Sequence, residues 1–265
     1  MAASFTDDLR LAHVLADDAE SIAMDRFKSL DLHVVTKPDL SPVSDADHSV
    51  EQAVRRTLAR ARPRDAVQGE EQGTSGWGPR RWVIDPIDGT KNFIRGVPIW
   101  GTLIALVDHD QPVAGLVSAP ALGRRWWAAR GHGAFAGRHT AAATPIRVSG
   151  VRRLADASFC YSSLYGWEQT GRLEAMLGIM RTAWRSRAYG DFYGYMLVAE
   201  GAVDAMVEPE LSLWDLAALV PIVTEAGGEF TDLDGRPGPG GGSAVATNGR
   251  LHSDILERLT APGAG

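Results

Sequence analysis

The chain of 265 residues contains a single cysteine, Cys160 in "ADASFCYSS". An internal disulfide is therefore impossible, which is typical of a protein in a reducing compartment. The apolar, strand-like neighbours of Cys160 favour a buried, inert thiol over a nucleophile. The chain also lacks any run of about 20 uninterrupted apolar residues. Its first residues, "MAASFTDDLRLAHVLADDAES", show no basic region followed by an apolar run. We therefore expect a soluble, cytoplasmic protein without a signal peptide.

An excess of positive charge is missing as well. The formal net charge is -6, which argues against a nucleic-acid or membrane-surface binder, because counterion release requires a basic face. The arginine pairs are scattered, and we interpret them as solvated faces or subunit contacts. The seven histidines do not have the spacing of a zinc site, so we expect them at surface or capping positions. The Trp126-Trp127 pair lies in a strand-like run, which favours packing in the core or in a dimer interface.

Helical and strand-like segments alternate along the chain. An amphipathic pattern predicts a helix over 4–28, and a second helix begins near Asp45 to Asp47, either of which could cap it. Residues 62–79 are rich in Gly and Pro and are predicted as a loop. We expect strands within 81–137, with a hairpin turn at Asp108 to Gln111, a strand in "ASFCYSS" and a hairpin within 228–249. Helices are predicted over 168–183, 191–201, 213–228 and 250–259, and a frayed tail over 260–265.

This alternation predicts a layered α/β (α+β) protein with two lobes packed as one unit. The first lobe would span residues 1–149 and the second residues 150–265. Hydrophobic residues make up 45% of the chain and charged residues 23%, which is ordinary for a globular protein with a sizeable core.

The stretch "RRWVIDPIDGTKNF" at residues 80–93 places two aspartates at the end of an apolar run. Pro86 fixes φ and removes a donor, so the chain cannot continue there as a regular central strand or helix. A turn at this proline can bring Asp85, Asp88 and the Ile87 carbonyl towards one point. Three hard oxygens in such an arrangement suit Mg²⁺. The alternative is an acidic turn with a capping aspartate.

Gly89 and Thr90 follow directly. They offer closely approaching backbone N–H groups and a hydroxyl at a predicted helix start, which is a natural place for a phosphate. A metal next to a phosphate indicates phosphoryl chemistry.

Two further acidic features are weaker on their own. Asp215 in "WDLAALVPIVTEAGG" lies at the start of a predicted helix, where an aspartate is usually a cap. Glu70 and Glu71 in "GEEQG" lie in a polar loop, where such residues usually face solvent.

Taken together, these segments resemble the inositol monophosphatase-like, Mg²⁺-dependent, lithium-sensitive phosphatases. "DPIDGTKNF" is similar to the first signature of that family and "WDLAALVPIVTEAGG" to its second. "GEE" precedes the first signature as it does in the family, and "VSDADHSVE" resembles an early family segment. The resemblance covers about residues 8–258. It implies the alternating αβαβα layers of the inositol monophosphatase and fructose-bisphosphatase type.

The resemblance also implies two or three Mg²⁺ ions in each active site. The ligands of the first ion would be Glu70, Asp85 and the Ile87 carbonyl. Those of the second would be Asp85, Asp88 and Asp215. A third ion would be bound more weakly by Glu70, with Asp47 in its outer sphere. The reaction implied is in-line attack of a metal-activated water on phosphorus, without a phosphoenzyme.

The phosphate would lie on the backbone of Gly89 and Thr90, and the Thr90 hydroxyl would help to orient the attacking water. Proton removal would be shared by Thr90 with Asp47 or Glu70, and the sequence does not choose between them. Lys37 in "TKPD" would supply positive charge near the phosphate.

The segment "RSRAYGDFYGY" resembles the histidinol-phosphate phosphatases of the same family. Asp191 directly follows Gly190 in this segment and Arg187 precedes them, and the resemblance implies that these three residues bind the substrate. Glu208 matches the carboxylate of the family that faces the leaving group. Two acids beside the rings of Phe192, Tyr193 and Tyr195 suit a cationic leaving group. Asp191 could instead simply cap the helix that follows.

Histidinol phosphate is therefore the first choice of substrate and inositol monophosphate the second. A 3′-phosphoadenosine nucleotidase or a fructose bisphosphatase ranks lower, since the sequence shows no extra basic pocket for a second phosphate. A catalytically silent binding protein of the same fold is the alternative from another class. The family resemblance further implies a homodimer that acts on a small phosphate ester, with no nucleic-acid or membrane partner.

Overall fold

The computed structural model describes residues 5–260. Its first layer consists of α1 (Thr6–Arg26) and α2 (Asp45–Ala61), which pack against each other and on one face of a large sheet. A two-stranded antiparallel ribbon, β1 (Val34–Thr36) and β2 (Pro42–Ser44), joins the two helices. Helix α1 buries an alanine- and leucine-rich stripe at steps of three and four residues, as its pattern predicts.

The N-cap of α2 differs from the expectation. Neither Asp45 nor Asp47 is the N-cap, because Ser44 occupies that position. The Ser44 side chain accepts a hydrogen bond from the Ala46 N–H, while the Asp47 carboxylate accepts one from the Ser44 N–H at 2.8 Å. This reciprocal capping box holds Asp47 in place at the first turn.

The large sheet has eight strands in the order β10-β9-β8-β7-β6-β5-β3-β4. Neighbouring strands are antiparallel except for β3 and β5, which are parallel. The predicted hairpin turn is confirmed, since His109 and Asp110 adopt positive φ between β6 and β7. The strands are β3 (Ala66–Gly69), β4 (Gly73–Ser75), β5 (Arg80–Asp88), β6 (Gly101–Asp108), β7 (Gln111–Ala119), β8 (Arg124–Ala129), β9 (Ala134–Gly137) and β10 (Thr144–Ile146).

The loop predicted over 62–79 is wrong, because β3 and β4 lie within it. The segment is rich in glycine and proline, which favours a loop prediction, but it contains two strands of only four and three residues. Strand β3 pairs with β4 in a hairpin and with β5, whose partner residues follow 15 positions later, outside the window of a local pattern.

The second sheet has five strands in the order β12-β11-β13-β15-β14. Strand β11 is parallel to both of its neighbours, while β15 is antiparallel to β13 and β14. The predicted hairpin within 228–249 is formed by β14 and β15. The strands are β11 (Ser158–Tyr161), β12 (Arg185–Arg187), β13 (Ala205–Glu208), β14 (Glu229–Thr231) and β15 (Ala244–Thr247).

Two predicted helices are each interrupted. The segment 168–183 divides because Gly171 adopts a left-handed conformation between two helices. The segment 213–228 divides because Pro221 has no N–H to donate to the Ala217 carbonyl. The remaining helices are α3 (Thr90–Ile94), α4 (Tyr165–Gln169), α5 (Leu173–Thr182), α6 (Asp191–Ala199), α7 (Leu213–Leu216), α8 (Leu219–Glu225) and α9 (His252–Thr260). Helix α9 ends at Thr260, so the rest of the predicted frayed tail lies outside the described residues.

These elements stack in five layers, and the predicted αβαβα order is confirmed. Helices α1 and α2 cover the outer face of the eight-stranded sheet, and α6 and α8 lie between the two sheets. Helices α5 and α9 cover the outer face of the five-stranded sheet. The chain passes from the first sheet to the second between β10 and β11, and the division into lobes at residues 149 and 150 stays a prediction. Among residues 5–260, no helix has both the length and the apolar character needed to cross a membrane.

The core contains the single cysteine, the tryptophan pair and two of the histidines. Cys160 is buried, as expected, and both Trp126 and Trp127 are buried within the chain. The surface or capping role expected for the histidines is wrong for two of them. His13 packs edge-on against Trp127, and His252 lies between the hydroxyls of Thr231 and Thr247.

Gly115 on β7 permits the close approach of the eight-stranded sheet to α8. A Cβ at this position would lie 2.2 Å from the Ala218 carbonyl oxygen and 2.8 Å from Cγ of Pro221. We predict that Gly115→Ala lowers the free energy of unfolding by about 2 kcal/mol, because the added methyl group must push two packed layers apart.

Gly178→Ala is the matched control, because a Cβ at Gly178 on α5 would meet no atom within 4 Å. This variant should be neutral or stabilising by up to about 1 kcal/mol, since alanine is the better helix former. Urea denaturation of both variants measures the difference. Equal stability of the two would show that the layers do not require glycine at position 115.

Candidate active site

Strand β5 delivers two aspartates to one edge of the large sheet through an irregularity at Pro86. Asp85 pairs with Leu103 and Asp88 pairs with Gly101, and the register shifts between these two pairs. The Pro86 carbonyl accepts a hydrogen bond from the Thr102 hydroxyl at 2.8 Å. The chain thus leaves regular pairing at the proline, as the sequence predicts, and resumes it three residues later with Asp88 turned towards the second sheet's helices.

Asp85, Asp88 and Asp215 come together although Asp215 follows more than a hundred residues later. One carboxylate oxygen from each lies within 4.8 Å of the other two. The Phe192 N–H donates to Asp88 Oδ2 at 2.6 Å, and the Ser212 N–H donates to Asp215 Oδ2 at 2.7 Å. Asp215 therefore completes a capping box for α7 and also belongs to this carboxylate cluster.

Electrostatic strain is concentrated in this carboxylate cluster. Burial raises the pKa of Asp85 well above its usual range, and the negative charges of Glu70, Asp88 and Asp215 raise it further. Burial, followed by the charge of Asp191, raises the pKa of Asp88 in the same way. Burial raises the pKa of Asp215 to about 6. Three carboxylates so placed repel one another in the absence of a compensating positive charge.

The donors of the carboxylate cluster fit a hard divalent cation. Asp85 is 1% exposed, yet its Oδ1 has no hydrogen-bond partner within residues 5–260. A buried carboxylate oxygen without a partner is costly, and a metal ion would satisfy it. The available donors are all oxygens, which is the ligand set that Mg²⁺ prefers. The residues present could therefore hold such an ion.

Lys37 lies beside the carboxylate cluster and binds two glutamates. Its Nζ donates to Glu70 Oε1 at 2.7 Å and to Glu71 Oε1 at 2.5 Å. Burial disfavours the ammonium charge, but the hydrogen bonds to Glu70 and Glu71 outweigh it and raise the pKa of Lys37. The two glutamates are thus held by a lysine, and Glu71 is not the solvent-facing residue that its loop composition suggests.

Glu51 on α2 positions the backbone of this glutamate pair, and the sequence analysis did not predict this role. Its carboxylate is fully buried and accepts the N–H groups of Glu71 at 2.7 Å and Gln72 at 3.1 Å. A Cβ at Gly69 would lie 2.2 Å from Glu51 Oε1, so only glycine permits this approach. Arg55 pairs with the same carboxylate at 2.7 Å. Nothing in the local sequence distinguishes Glu51 from an ordinary surface residue of an amphipathic helix.

Thr90 connects the β5 motif to α2. Its hydroxyl lies 2.9 Å from the Ile87 carbonyl oxygen and 3.3 Å from Asp47 Oδ1, and one hydroxyl proton serves both acceptors. Burial raises the pKa of Asp47, while the hydrogen bonds from Ser44 act against this shift. Gly89 adopts φ +81° as the N-cap of α3, a conformation that side chains other than glycine rarely take. The two residues predicted to hold phosphate therefore begin α3 beside the carboxylate cluster.

Asp191 lies on the opposite wall, at the start of α6. The N-cap of this helix is Gly190, and no side-chain capping bond is present, so the interpretation of Asp191 as a cap is wrong. Its carboxylate instead accepts from Asn92 Nδ2 at 3.0 Å. Burial raises the pKa of Asp191, and the positive charge of Lys91 opposes this. Its φ of +47° is unusual for a residue with a side chain and is a strain that often marks functional positions.

Glu208 ends β13 on the same wall as Asp191. The Tyr195 hydroxyl donates to its Oε2 at 2.7 Å. Burial raises the pKa of Glu208 to about 8, and the charge of Asp191 contributes to that shift while the Tyr195 hydrogen bond opposes it. Phe192 and Tyr195 also face this space, whereas the ring of Tyr193 packs against Trp126, away from it.

A cavity of about 470 Å³ joins these two walls, and we call it the reaction cavity. Its lining includes nine of the residues singled out in the sequence: Glu70, Asp88, Gly89, Thr90, Asp191, Phe192, Tyr195, Glu208 and Asp215. Lys91 and Glu210 line it too, although no role was predicted for either of them. Their positions, directly after Thr90 and two residues after Glu208, are the only sequence signal that could have identified them.

Other predicted site residues lie outside the lining of the reaction cavity. Asp85 and Ile87 are buried behind it, and Lys37 and Asp47 reach it only through Glu70 and Thr90. Arg187 is exposed on the edge strand β12, where its Nη1 donates to the Ser186 carbonyl at 2.7 Å. The substrate-binding roles of Arg187 and Gly190 stay predictions.

The chain is similar to known proteins along nearly its whole length. The family model described as "Inositol monophosphatase family" matches residues 7–261. A Streptomyces coelicolor protein named "Histidinol-phosphatase" is 64% identical over 259 residues, which cover 96% of this chain and 97% of that protein. A Mycobacterium tuberculosis protein of the same name is 57% identical over 256 residues, covering 96% and 98%.

Solved structures show the same architecture. The Thermotoga maritima IMPase superposes with a TM-score of 0.85 at 28% identity, covering 96% of this chain and 97% of that one. The inositol monophosphatase from Zymomonas mobilis superposes with a TM-score of 0.85 at 34% identity, covering 97% and 99%. With a family match along nearly its whole length and relatives of this similarity, the chain belongs to the inositol monophosphatase family.

Proposed function

We propose that this chain is a Mg²⁺-dependent phosphomonoesterase that hydrolyses histidinol phosphate to histidinol and phosphate. The observation that carries the proposal is the reaction cavity, which has Asp88 and Asp215 on one wall, with Asp85 buried behind them, and Asp191 with Glu208 on the other. Two relatives of 64% and 57% identity along nearly the whole chain are named histidinol-phosphatase, and they support this substrate. Hydrolysis of a phosphoric monoester is also the reaction expected of the family.

The metal would be held by residues of the first wall. Asp85, Asp88 and Asp215, together with Glu70 and the Ile87 carbonyl, offer the oxygens for two or three ions. Bound Mg²⁺ would supply a lowered pKa for coordinated water and positive charge for the phosphoryl and leaving oxygens. The orphaned Asp85 Oδ1 is the feature of this chain that best supports a metal at this place.

The chain itself would hold the phosphate and the water. The backbone at Gly89 and Thr90 begins α3 and would bind phosphate oxygens, while Lys37 adds positive charge from behind Glu70. The Thr90 hydroxyl would orient the attacking water and take part in removing its proton. Its contact with Asp47 makes that carboxylate a proton acceptor for the pair, and Glu70 is the second candidate for this role.

The second wall would select the leaving group. Histidinol carries an ammonium group and an imidazole, and both can pair with carboxylates. Asp191 and Glu208 line the reaction cavity together with the rings of Phe192 and Tyr195. An inositol ester has no positive charge to match these acids, which makes inositol monophosphate the second candidate.

We further propose that the protein works as a cytoplasmic homodimer and is inhibited by lithium. The single buried cysteine is compatible with a reducing compartment. A small monovalent cation would compete for carboxylates that bind Mg²⁺. The net charge of -6 disfavours nucleic acid as a partner.

The first test compares substrates in the presence and absence of Mg²⁺. We predict a kcat/KM for histidinol phosphate at least tenfold above that for inositol 1-phosphate, because a paired charge at the leaving group is worth about 1.4 kcal/mol or more. EDTA should abolish turnover of both esters, and Mg²⁺ should restore it. A preference for the inositol ester would overturn the proposed substrate, and full turnover in EDTA would overturn the proposed requirement for Mg²⁺.

The second test removes one charge from the leaving-group wall. Asp191→Asn keeps a residue that tolerates positive φ, but it removes the carboxylate charge. We predict a loss of about tenfold more in kcat/KM for histidinol phosphate than for the neutral ester glycerol 2-phosphate, since only the former carries a cation to pair.

Asp110→Asn is the matched control for that variant. Asp110 also has a positive φ, +58°, and lies in the hairpin turn between β6 and β7, away from the reaction cavity. It should leave both rates unchanged. Equal losses on the two esters for Asp191→Asn would limit Asp191 to a role in structure.

A further inference from the structure

A second cavity opens directly beside the reaction cavity. It has a volume of about 590 Å³, and we call it the side cavity. The two cavities share Ser41, Lys91, Glu208 and Glu210, so they form one continuous cleft. The far wall of the side cavity includes Tyr165, which begins α4 and is 67% exposed. The proposed reaction leaves this space without an assigned occupant.

The acidic groups of the cleft differ in how fully they are engaged by the protein. Glu208 accepts a hydrogen bond from Tyr195, and Asp191 accepts one from Asn92 and lies near Lys91. Glu210 differs from both, because its exposed carboxylate makes no hydrogen bond or ion pair with any residue of the described range 5–260. It is therefore the carboxylate of the cleft that is free to receive a charge from a ligand.

Packing of α4 sets the distance across the side cavity. Gly166 follows Tyr165, and a Cβ there would lie 2.9 Å from Cγ of Pro209, the residue before Glu210. The short helix can therefore approach the 208–210 segment only because position 166 is glycine. This contact holds the Tyr165 ring and the Glu210 carboxylate on two walls of the same space.

The charge of the side cavity favours a cation. The carboxylates of Asp39 and Glu210 line it against one ammonium group, that of Lys91, and Glu208 adds an acid whose raised pKa favours the neutral form. The Asp39 carboxylate is already used by the backbone and hydroxyl of Ser41. An aromatic ring and an unpaired carboxylate that line the same cavity can together recognise a flat cationic ring, through ion pairing and cation–π contact.

We propose that Glu210 is a specificity-determining residue, which pairs in the side cavity with the imidazole end of the substrate while Tyr165 packs against the ring. This inference rests on the proposed function, since it requires a phosphate ester whose leaving group ends in a basic ring. The phosphate and ester oxygen remain in the reaction cavity, and the side cavity holds the part of the substrate farthest from the reacting bond. Glu210 therefore acts on binding and leaves the chemical step to other residues.

The test is Glu210→Gln, which removes the charge and keeps the shape of the side chain. KM for histidinol phosphate should rise about tenfold with kcat changed less than twofold, because the lost pair contributes equally to substrate and transition state. The loss in kcat/KM should be about tenfold greater for histidinol phosphate than for glycerol 2-phosphate, which has no ring to reach the side cavity.

Glu168→Gln is the matched control. Glu168 is exposed on the same helix α4 but does not line either cavity. This variant makes the same change in net charge, and it should leave KM for histidinol phosphate within twofold of the wild-type value. A loss equal to that of Glu210→Gln would indicate a general effect of charge and would overturn the proposal.

Tyr165→Phe and Tyr165→Leu provide the second measurement. The phenyl ring of Tyr165→Phe should keep the wild-type KM for histidinol phosphate within about twofold, whereas Tyr165→Leu should raise it several-fold, because a leucine offers no aromatic face. Equal KM values for the two variants would remove Tyr165 from the proposal.

The outcomes separate this inference from the proposed function. If wild-type protein prefers inositol 1-phosphate, the proposed substrate itself fails. If wild-type protein prefers histidinol phosphate and Glu210→Gln leaves its KM unchanged, the substrate stands and the role of Glu210 is overturned.

Discussion

Mutual repulsion among buried carboxylates is the constraint on which the rest of the active site depends. Asp85, Asp88 and Asp215 approach within 4.8 Å, and burial raises the pKa of each. The fold holds them together with hydrogen bonds from separate elements, since α6 contributes the Phe192 N–H and the turn before α7 contributes the Ser212 N–H. These donors fix the oxygens but leave Asp85 Oδ1 without a partner. A hard cation relieves both the repulsion and the missing hydrogen bond.

The layered fold separates the reaction from the choice of substrate. Strand β5 brings Asp85 and Asp88 from the large sheet, helix α3 begins with the backbone proposed to bind phosphate, and Asp215 joins them from α7. Helix α6, strand β13 and the segment that follows it bring Asp191, Glu208 and Glu210 from the second sheet. The cleft lies where these two sets face each other. In the proposed reaction, side-chain changes at Asp191, Glu208 or Glu210 would alter the choice of leaving group without replacing a proposed metal ligand.

Sequence was a reliable guide where function is concentrated in contiguous residues. The motif around Pro86 predicted an irregular strand end with two carboxylates, and the alternation of elements, with the family resemblance, predicted five layers. It failed where structure depends on contacts between separate segments: β3 pairs with β5, and Glu51 acquires its role only because Gly69 lets the 70–72 turn reach it. Glu210 is equally inconspicuous, since its importance comes from being unpaired beside a cavity.

The most direct measurement is thermal unfolding of wild-type protein and Asp85→Asn, each in EDTA and in Mg²⁺. If a cation relieves the repulsion between the carboxylates, Mg²⁺ should raise the Tm of the wild-type protein, because an ion that binds only the folded state stabilises it. The repulsion also predicts that Asp85→Asn has a higher Tm than wild type in EDTA, since one buried charge is gone, and that Mg²⁺ raises its Tm much less. A lower Tm for Asp85→Asn in EDTA together with an undiminished Mg²⁺ effect would contradict a metal site built on these carboxylates.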